Sequence, residues 1–510
     1  MTQFSPRLPT PNAFAKAYCN REAVSMLLLG FAAGLPLMLI FSTLGLWLRE
    51  AGIDRSTVTM FSWAALGYSF KFIWSPLVDA LPLPVLGGWL GHRRSWLLLT
   101  QLLIITAIIC MAMTNPMVQT ASVMAMSAVF LGFSSATQDI VIDAYRIEIA
   151  PSEQQAALSA SYVGGYRVGM IVSGAGALYL ADFFGSTEAA YSYIAWQKTY
   201  LMMAAVMLIG VLTTLCVLRE PVRVAKTITK NTQDYARLVA VFVLSVIAFV
   251  LMYREMGQLL PKSDGVLVGF LLGCVRFITS GVVMGLVGTV LVKAGAVSQA
   301  VAMATWVRPI TDFFERYGRQ AIWLLALIGL YRISDIVAGN ISNLFYQDLG
   351  FSKIQIAHAV KTFGLLATIG GGFIGGWLAQ KIDIMRAMMV GAVLACTTNL
   401  LFIMLFFNPT VINMYAAVLI DNVAAGLASA VFIAFLSVLT SIRFTAVQYA
   451  LFSSLMTLSP KILGGYAGAI VDATSYPVFF GITFGLGIPV LGLVYLVYKK
   501  IPLQANNIVN

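Results

Sequence analysis

Ser134-Ser135-Ala136-Thr137-Gln138-Asp139-Ile140-Val141-Ile142-Asp143-Ala144-Tyr145-Arg146 is the stretch on which the reading of this chain turns. It closes an apolar run over 119–148 that is long enough to cross a bilayer as a helix. Asp139 and Asp143 have i,i+4 spacing, so both carboxylates project from one face. A carboxylate in hydrocarbon is costly, so it faces a bundle interior, a partner or a water path. The pair therefore points to a proton-linked membrane carrier.

Working outward, apolar runs of this length recur along the whole chain. Of its 510 residues 59% are hydrophobic and 10% are charged, whereas soluble domains carry about 25% charged residues. Fourteen helices are predicted, at 24–48, 57–80, 94–114, 119–148, 155–183, 196–218, 236–256, 264–292, 321–347, 355–380, 385–407, 411–440, 446–472 and 477–498. Non-helical crossings would leave backbone groups unsatisfied in lipid. The fold class is an all-α polytopic membrane protein.

The net charge of +11 does not indicate nucleic acid, because the basic residues sit in short loops between spans. They concentrate on one side, including Arg21, Arg93, Arg94, Arg146, Arg219, Lys293, Arg316, Lys381, Arg443 and Lys499. Positive loops stay inside, so both termini are expected to be cytoplasmic. Cys110, Cys216, Cys274 and Cys396 lie in spans and read as small buried side chains, with no metal or disulfide spacing. Trp47, Trp196 and Tyr476 lie near span ends and read as interfacial anchors. The two histidines are far apart and no His-Glu-x-x-His is present, which argues against an intramembrane enzyme. No cofactor is expected.

The layout is six spans, then two, then six. A cytoplasmic tail (1–23) leads into a first half (24–218) and a charged linker (219–235). Two further spans (236–292) and a cytoplasmic amphipathic segment (293–320) precede a second half (321–498) and a tail (499–510). The halves echo each other weakly. Leu46-Trp47-Leu48-Arg49-Glu50-Ala51-Gly52-Ile53 parallels Leu344-Phe345-Tyr346-Gln347-Asp348-Leu349-Gly350-Phe351 after the first span of each half. Arg167, Gly169 and Gly174 parallel Lys461, Gly464 and Gly468. Two six-helix halves around a midplane cavity is the major facilitator plan.

Six ordered stretches sharpen this. They are Gly30–Leu37, Phe70–Asp79, Ser135–Ala144, Gly165–Met170, Lys361–Thr368 and Thr445–Leu451. With them the chain resembles the AmpG family of bacterial permeases, within the major facilitator superfamily. The resemblance implies proton-driven import of N-acetylglucosaminyl-anhydro-N-acetylmuramic acid and its peptides. It also implies residence in the bacterial inner membrane, a role in cell-wall recycling and, in some species, a link to β-lactamase induction. A carrier of another anionic solute, such as a coenzyme A thioester or a sugar acid, is the alternative. Expected partners are the muropeptide, protons and membrane lipid, with the chain acting as a monomer.

Asp139 and Asp143 are the candidates for proton coupling, although Asp143 could instead anchor Arg146. Lys71 lies at a depth similar to Asp139 and is its expected partner, with Arg167 a second candidate. Cargo carboxylates would be received by Arg332, Lys361 and Lys461, with Asp421 close by in the same half. An Arg332–Asp421 ion pair is the bland alternative. Gln138 and Tyr166, inside the matched stretches, complete the candidate cargo contacts. Asp79, Arg93 and Arg94 resemble the facilitator's cytoplasmic latch, in which a carboxylate pairs with arginine. Arg93 and Arg94 could equally be plain positive-inside anchors. Arg276 lies mid-span with no partner legible in sequence.

Overall fold

The computed structural model describes residues 18–40, 42–53, 68, 70–117, 121–186, 190–221, 232–261, 266–351, 353–464 and 467–501. Eleven helices among them are long and apolar enough to cross a membrane. Three expected spans do not reach that standard. Much of the second (57–80) lies outside the described residues. The fifth is present as Gln155–Ile171, a π-helical turn Val172–Gly176 and Ala177–Phe183. The thirteenth runs through Thr445–Gly464 and Ala467–Ala473.

The described residues fall into two compact units. The larger comprises Met1–Val78, Pro82–Val224 and Arg319–Asn510. Its first half contains α1 (Arg21–Ile40), α2 (His92–Ala112), α3 (Ala121–Glu148), α4 (Gln155–Ile171) and α5 (Tyr193–Leu212). The smaller unit, Asp79–Leu81 and Ala225–Gly318, holds α6 (Thr232–Leu259), α7 (Val266–Lys293) and α8 (Arg308–Tyr317). The second half of the larger unit contains α9 (Ala321–Leu330), α10 (Ile333–Asp348), α11 (Gly364–Lys381), α12 (Ile384–Thr397), α13 (Val411–Leu439), α14 (Thr445–Gly464) and α15 (Tyr476–Lys500).

Lipid gives no hydrophobic drive for one helix to find another, so close packing must supply the attraction. Glycine provides it in both halves. A Cβ on Gly165 would lie 1.9 Å from the Leu27 carbonyl oxygen, and one on Gly34 2.1 Å from that of Tyr166. α1 and α4 therefore meet backbone to backbone. In the second half a Cβ on Gly371 would lie 2.1 Å from the Val423 carbonyl oxygen, and one on Gly426 2.1 Å from that of Thr368. α11 and α13 share the same kind of seam. Where the π-helical turn loosens the ladder after α4, the Thr43 hydroxyl donates to the Ser173 carbonyl at 2.8 Å.

The weak internal echo has a structural counterpart. Gly52 and Gly350 both take positive φ, 79° and 85°, just past a helix end, where glycine avoids the Cβ penalty. The carboxylate two residues earlier is used alike in each half. Glu50 accepts from Trp196 Nε1 at 2.8 Å, and Asp348 accepts from the Tyr476 hydroxyl. Each donor stands on the sixth span of its half.

This corrects the reading of Trp47 and Trp196 as interfacial anchors. Both are fully buried and stack with ring centroids 5.7 Å apart. Proximity to a span end says nothing of which face a ring occupies, and these two face the interior of the first half. Cys110 and Cys216 are likewise exposed on their helices rather than buried.

In the smaller unit α6 packs on α7. Arg276 of α7 donates from Nε to the Tyr253 carbonyl at 2.5 Å, and its guanidinium lies 3.7 Å from the Tyr253 ring centroid. Gly257 forms the notch that admits it, since a Cβ there would lie 2.4 Å from Arg276 Nη2. A carbonyl and a ring face thus serve this cation in place of a carboxylate. In α8, Arg316 pairs with Asp312 at 3.0 Å with i,i+4 spacing.

Candidate functional site

The quoted stretch forms the last part of α3, and its charges organise one end of the larger unit. Lys71 sits on a 3₁₀ turn, Lys71–Ile73, and its Nζ lies 3.2 Å from Asp143 Oδ2. Arg146 Nη2 reaches the other oxygen, Asp143 Oδ1, at 3.4 Å. Asp143 is therefore shared by two cations, and the expected Lys71–Asp139 pairing is corrected to Lys71–Asp143. Backbone depth does not fix the ammonium of a flexible four-carbon stem, and one turn, about 5.4 Å, lies within its reach.

Asp139 is left in a different condition. It is buried, at 8% exposure, and its Oδ1 has no hydrogen-bond partner among the described residues. Tyr162 is its hydrogen-bonding neighbour and Lys71 is near enough to act on its charge. Gln138 is fully buried and neither of its polar side-chain atoms is paired. It thus turns no surface outward, unlike Asp139. Tyr166 packs beside Tyr162, with ring centroids 6.0 Å apart.

Arg146 joins this cluster to the second half. It is fully buried, and Nη1 donates to Ser159 Oγ at 2.7 Å and to Ser437 Oγ of α13 at 2.9 Å. Its guanidinium lies 5.0 Å from the ring centroid of Tyr449 on α14. Arg93, at the start of α2, grips Glu148 in a fork: Nε to Oε2 at 3.0 Å and Nη2 to Oε1 at 2.6 Å. Nη2 also donates to Thr445 Oγ1 at 2.9 Å, and the Thr445 hydroxyl donates in turn to Glu148. At the same end Tyr18 donates from its hydroxyl to the Phe373 carbonyl at 2.8 Å. Of these contacts, those of Arg146 with Ser437 and Tyr449, of Arg93 and Glu148 with Thr445, and of Tyr18 with Phe373 reach into the second half.

Arg94 has another role from the one expected. Its Nε and Nη2 donate to the carbonyls of Thr214 and Leu215 at 3.0 and 2.9 Å, ending the sixth span. Neighbours on a helix point about 100° apart, so Arg93 and Arg94 cannot serve the same partner. Glu220 accepts from the backbone N–H of both, at 2.8 and 3.1 Å, and caps α2. Asp79 is buried on the helix Ser75–Ala80.

In the second half Arg332, at the junction of α9 and α10, donates through Nε to Asp335 Oδ2 at 2.8 Å. Its Nη1 donates to Ser429 Oγ of α13. Asp421 accepts from Thr398 Oγ1 at 3.0 Å. The bland Arg332–Asp421 pairing is therefore replaced by Arg332–Asp335, three residues apart in the chain and reachable without tertiary movement. Lys361 lies on the π-helical stretch Ala357–Phe363 and Lys461 on α14, but both side chains are outside the described residues. Arg167 on α4 has no carboxylate partner among the described residues; its Nη1 lies 3.8 Å from Met170 Sδ.

Sequence reasoning missed Glu148, Glu220, Ser437, Thr445 and Tyr449. One signal was available for Glu148. A carboxylate is one partner that can offset a buried arginine, and Glu148 ends the very helix that carries Asp139, Asp143 and Arg146.

The profile of the Major Facilitator Superfamily matches residues 26–334. The chain belongs to that superfamily. Among relatives of this facilitator is "Putative transporter AmpG 4" of Rickettsia conorii, 30% identical over 95% of this chain and 99% of the relative. Another is the "Anhydromuropeptide permease" of Escherichia coli, 32% identical over 96% of this chain and 82% of the relative. The facilitator is thus of the AmpG type. Among solved structures, the transporter FucP in its outward conformation superposes with TM-score 0.60 at 11% identity, covering 93% of this chain and 98% of that one. The proton:xylose symporter XylE superposes with TM-score 0.57 at 12% identity, covering 96% and 97%. At such identities the agreement is one of fold.

Proposed function

We propose that this facilitator is a proton-coupled importer of N-acetylglucosaminyl-anhydro-N-acetylmuramic acid and its peptides. It moves them from periplasm to cytoplasm for cell-wall recycling, which feeds β-lactamase induction in some species. The observation that carries the cargo is the 32% identity, over nearly the whole chain, with the anhydromuropeptide permease. Proton coupling is supported by Asp139, a buried carboxylate with one oxygen unpaired, one turn from a carboxylate held by two cations. A carboxylate in that position changes charge when access to water changes.

The protein resides in the bacterial inner membrane with both termini cytoplasmic and works as a monomer in contact with lipid. On this orientation the bridges made by Arg93, Glu148 and Arg146 lie at the cytoplasmic end, which supports a cytoplasm-closed conformation. Cargo meets Arg332, Lys361 and Lys461 of the second half, while α6 and α7 stand outside the transport path. Uptake of labelled anhydro-muropeptide into vesicles, with and without an imposed pH gradient, tests the reading. Accumulation that follows the gradient is expected. Uptake indifferent to the gradient removes the proton coupling, and absence of uptake removes the cargo.

A further inference from the structure

Among the described residues Arg167 is a membrane guanidinium with neither a carboxylate nor a carbonyl to serve it. Arg167 lies twelve residues into α4, at Gln155–Ile171, about 18 Å along the helix and far from either end of a span. It is half-buried rather than sealed, so its donors remain reachable. Its one hydrogen-bond contact among the described residues, Met170 Sδ at 3.8 Å, is with a thioether, a weak acceptor. Five N–H donors of a guanidinium within a membrane are not left so poorly served without a ligand to use them.

α4 packs against α11 and α13 of the second half, and Gly164 meets the Phe373 ring there. α13 carries Ser429, which holds Arg332 in place. Arg167 and Ser429, the partner of Arg332, thus stand on helices that meet at this seam, and the charge of Arg332 acts on Arg167. Arg332 is already neutralised by Asp335, so the three groups together retain one positive charge.

We propose that Arg167 and Arg332 grip one carboxylate of the cargo between the halves, so that an anionic cargo, and not a neutral one, draws the halves together. This rests on the muropeptide reading and names the feature of the cargo that is recognised. The cargo carboxylate cancels the remaining charge, and arginine presents paired donors that match its two oxygens. Without an anion, closing the seam brings two like charges together in a medium of low dielectric.

The test compares two probes, peptide-free N-acetylglucosaminyl-anhydro-N-acetylmuramic acid, whose lactyl carboxylate is its only charge, and the N-methylamide of that group. Binding to the purified full-length protein in nanodiscs is measured for both. Wild type is expected to favour the acid by about 30-fold, typical of a desolvated charge-assisted contact. Arg167→Gln should lose that preference, weakening the acid by about 30-fold and leaving the amide unchanged. Arg167→Lys should keep part of the preference, since it retains the charge without the fork. Equal loss for both probes, or no loss, overturns the proposal while leaving the muropeptide reading intact. Wild-type protein that binds neither probe overturns that reading and this inference with it. Should Arg167→Gln fail to fold, Arg332→Gln/Asp335→Asn removes the opposing pair as a neutral unit. An undiminished preference for the acid in that variant also overturns the proposal.

Discussion

The two halves of the transporter spend their membrane charges differently. In the first half two of them, beside their own carboxylates Glu148 and Asp143, also reach outward: Arg93 to Thr445 and Arg146 to Ser437 and Tyr449, all in the second half. In the second half they turn inward: Arg332 to Asp335 and Ser429, Asp421 to Thr398, and Asn399 to Ser334 at 2.8 Å. A charge satisfied within its own half is indifferent to how the halves rock. A charge satisfied by the opposite half must be released if the halves part at that end. On the proposed function, the contrast gives the first half the gate and the second a stable counterpart.

The largest effect expected is on coupling. Each pH unit of gradient is worth about 1.4 kcal/mol per coupled proton, or tenfold accumulation. Asp139→Asn should reduce gradient-driven accumulation in vesicles to the level without a gradient, while counterflow survives. Asp421→Asn, its nearest equivalent in the other half, should retain accumulation. Equal loss in the two variants would erase the distinction between the halves.

Next come the ion pairs. Glu148→Gln and Asp335→Asn each leave a buried arginine without its carboxylate, a loss of about 3–5 kcal/mol. Both should lower the melting temperature. Only Glu148→Gln should also raise labelling of a cysteine introduced at Ser437 by a thiol reagent applied from the cytoplasmic side. Similar labelling in both variants would show that the second half also takes part in the latch.

A smaller effect tests what the halves have in common, their glycine seams. Gly371→Ala puts a methyl group against the Val423 carbonyl, whereas a Cβ on Gly370 meets nothing within 4 Å. Overpacking of this kind costs about 1–3 kcal/mol. Gly371→Ala should therefore reduce thermal stability and Gly370→Ala should not. The smallest effect belongs to the central unit. Gly257→Ala displaces only the flexible end of Arg276, so uptake should hold and stability should move by about 0.5 kcal/mol or less. A marked fall in uptake would bring α6 and α7 into the transport cycle.

The spans were legible because lipid demands a long apolar helix, and Asp139 and Asp143 stood out because two carboxylates one turn apart are costly in lipid. The roles of Arg93 and Arg94 were not legible as a pair. Adjacent in sequence, they take opposite tasks, since a helix turns them toward different neighbours. The partner of Lys71 was misjudged by one turn for a related reason: depth along a helix can be counted, but rotation about the axis and the reach of a long side chain cannot. The burial of Trp47 and Trp196 and the carbonyl partner of Arg276 depended likewise on which face meets which.

By itself the sequence determined the class of fold and the family, and it set the expected repeat of a six-helix half and the expected depth of its charges. Fold class and depth follow from composition and spacing along one axis, where the bilayer acts as a ruler, and the family from the resemblance of the six quoted stretches. Only the tertiary structure decided that Lys71 joins Arg146 on Asp143, that Glu148 answers Arg93, and that Arg146 crosses to Ser437 while Arg167 has no carboxylate among the described residues. Those facts depend on how helices distant in sequence are rotated against one another, and glycine seams and side-chain reach set that rotation in three dimensions.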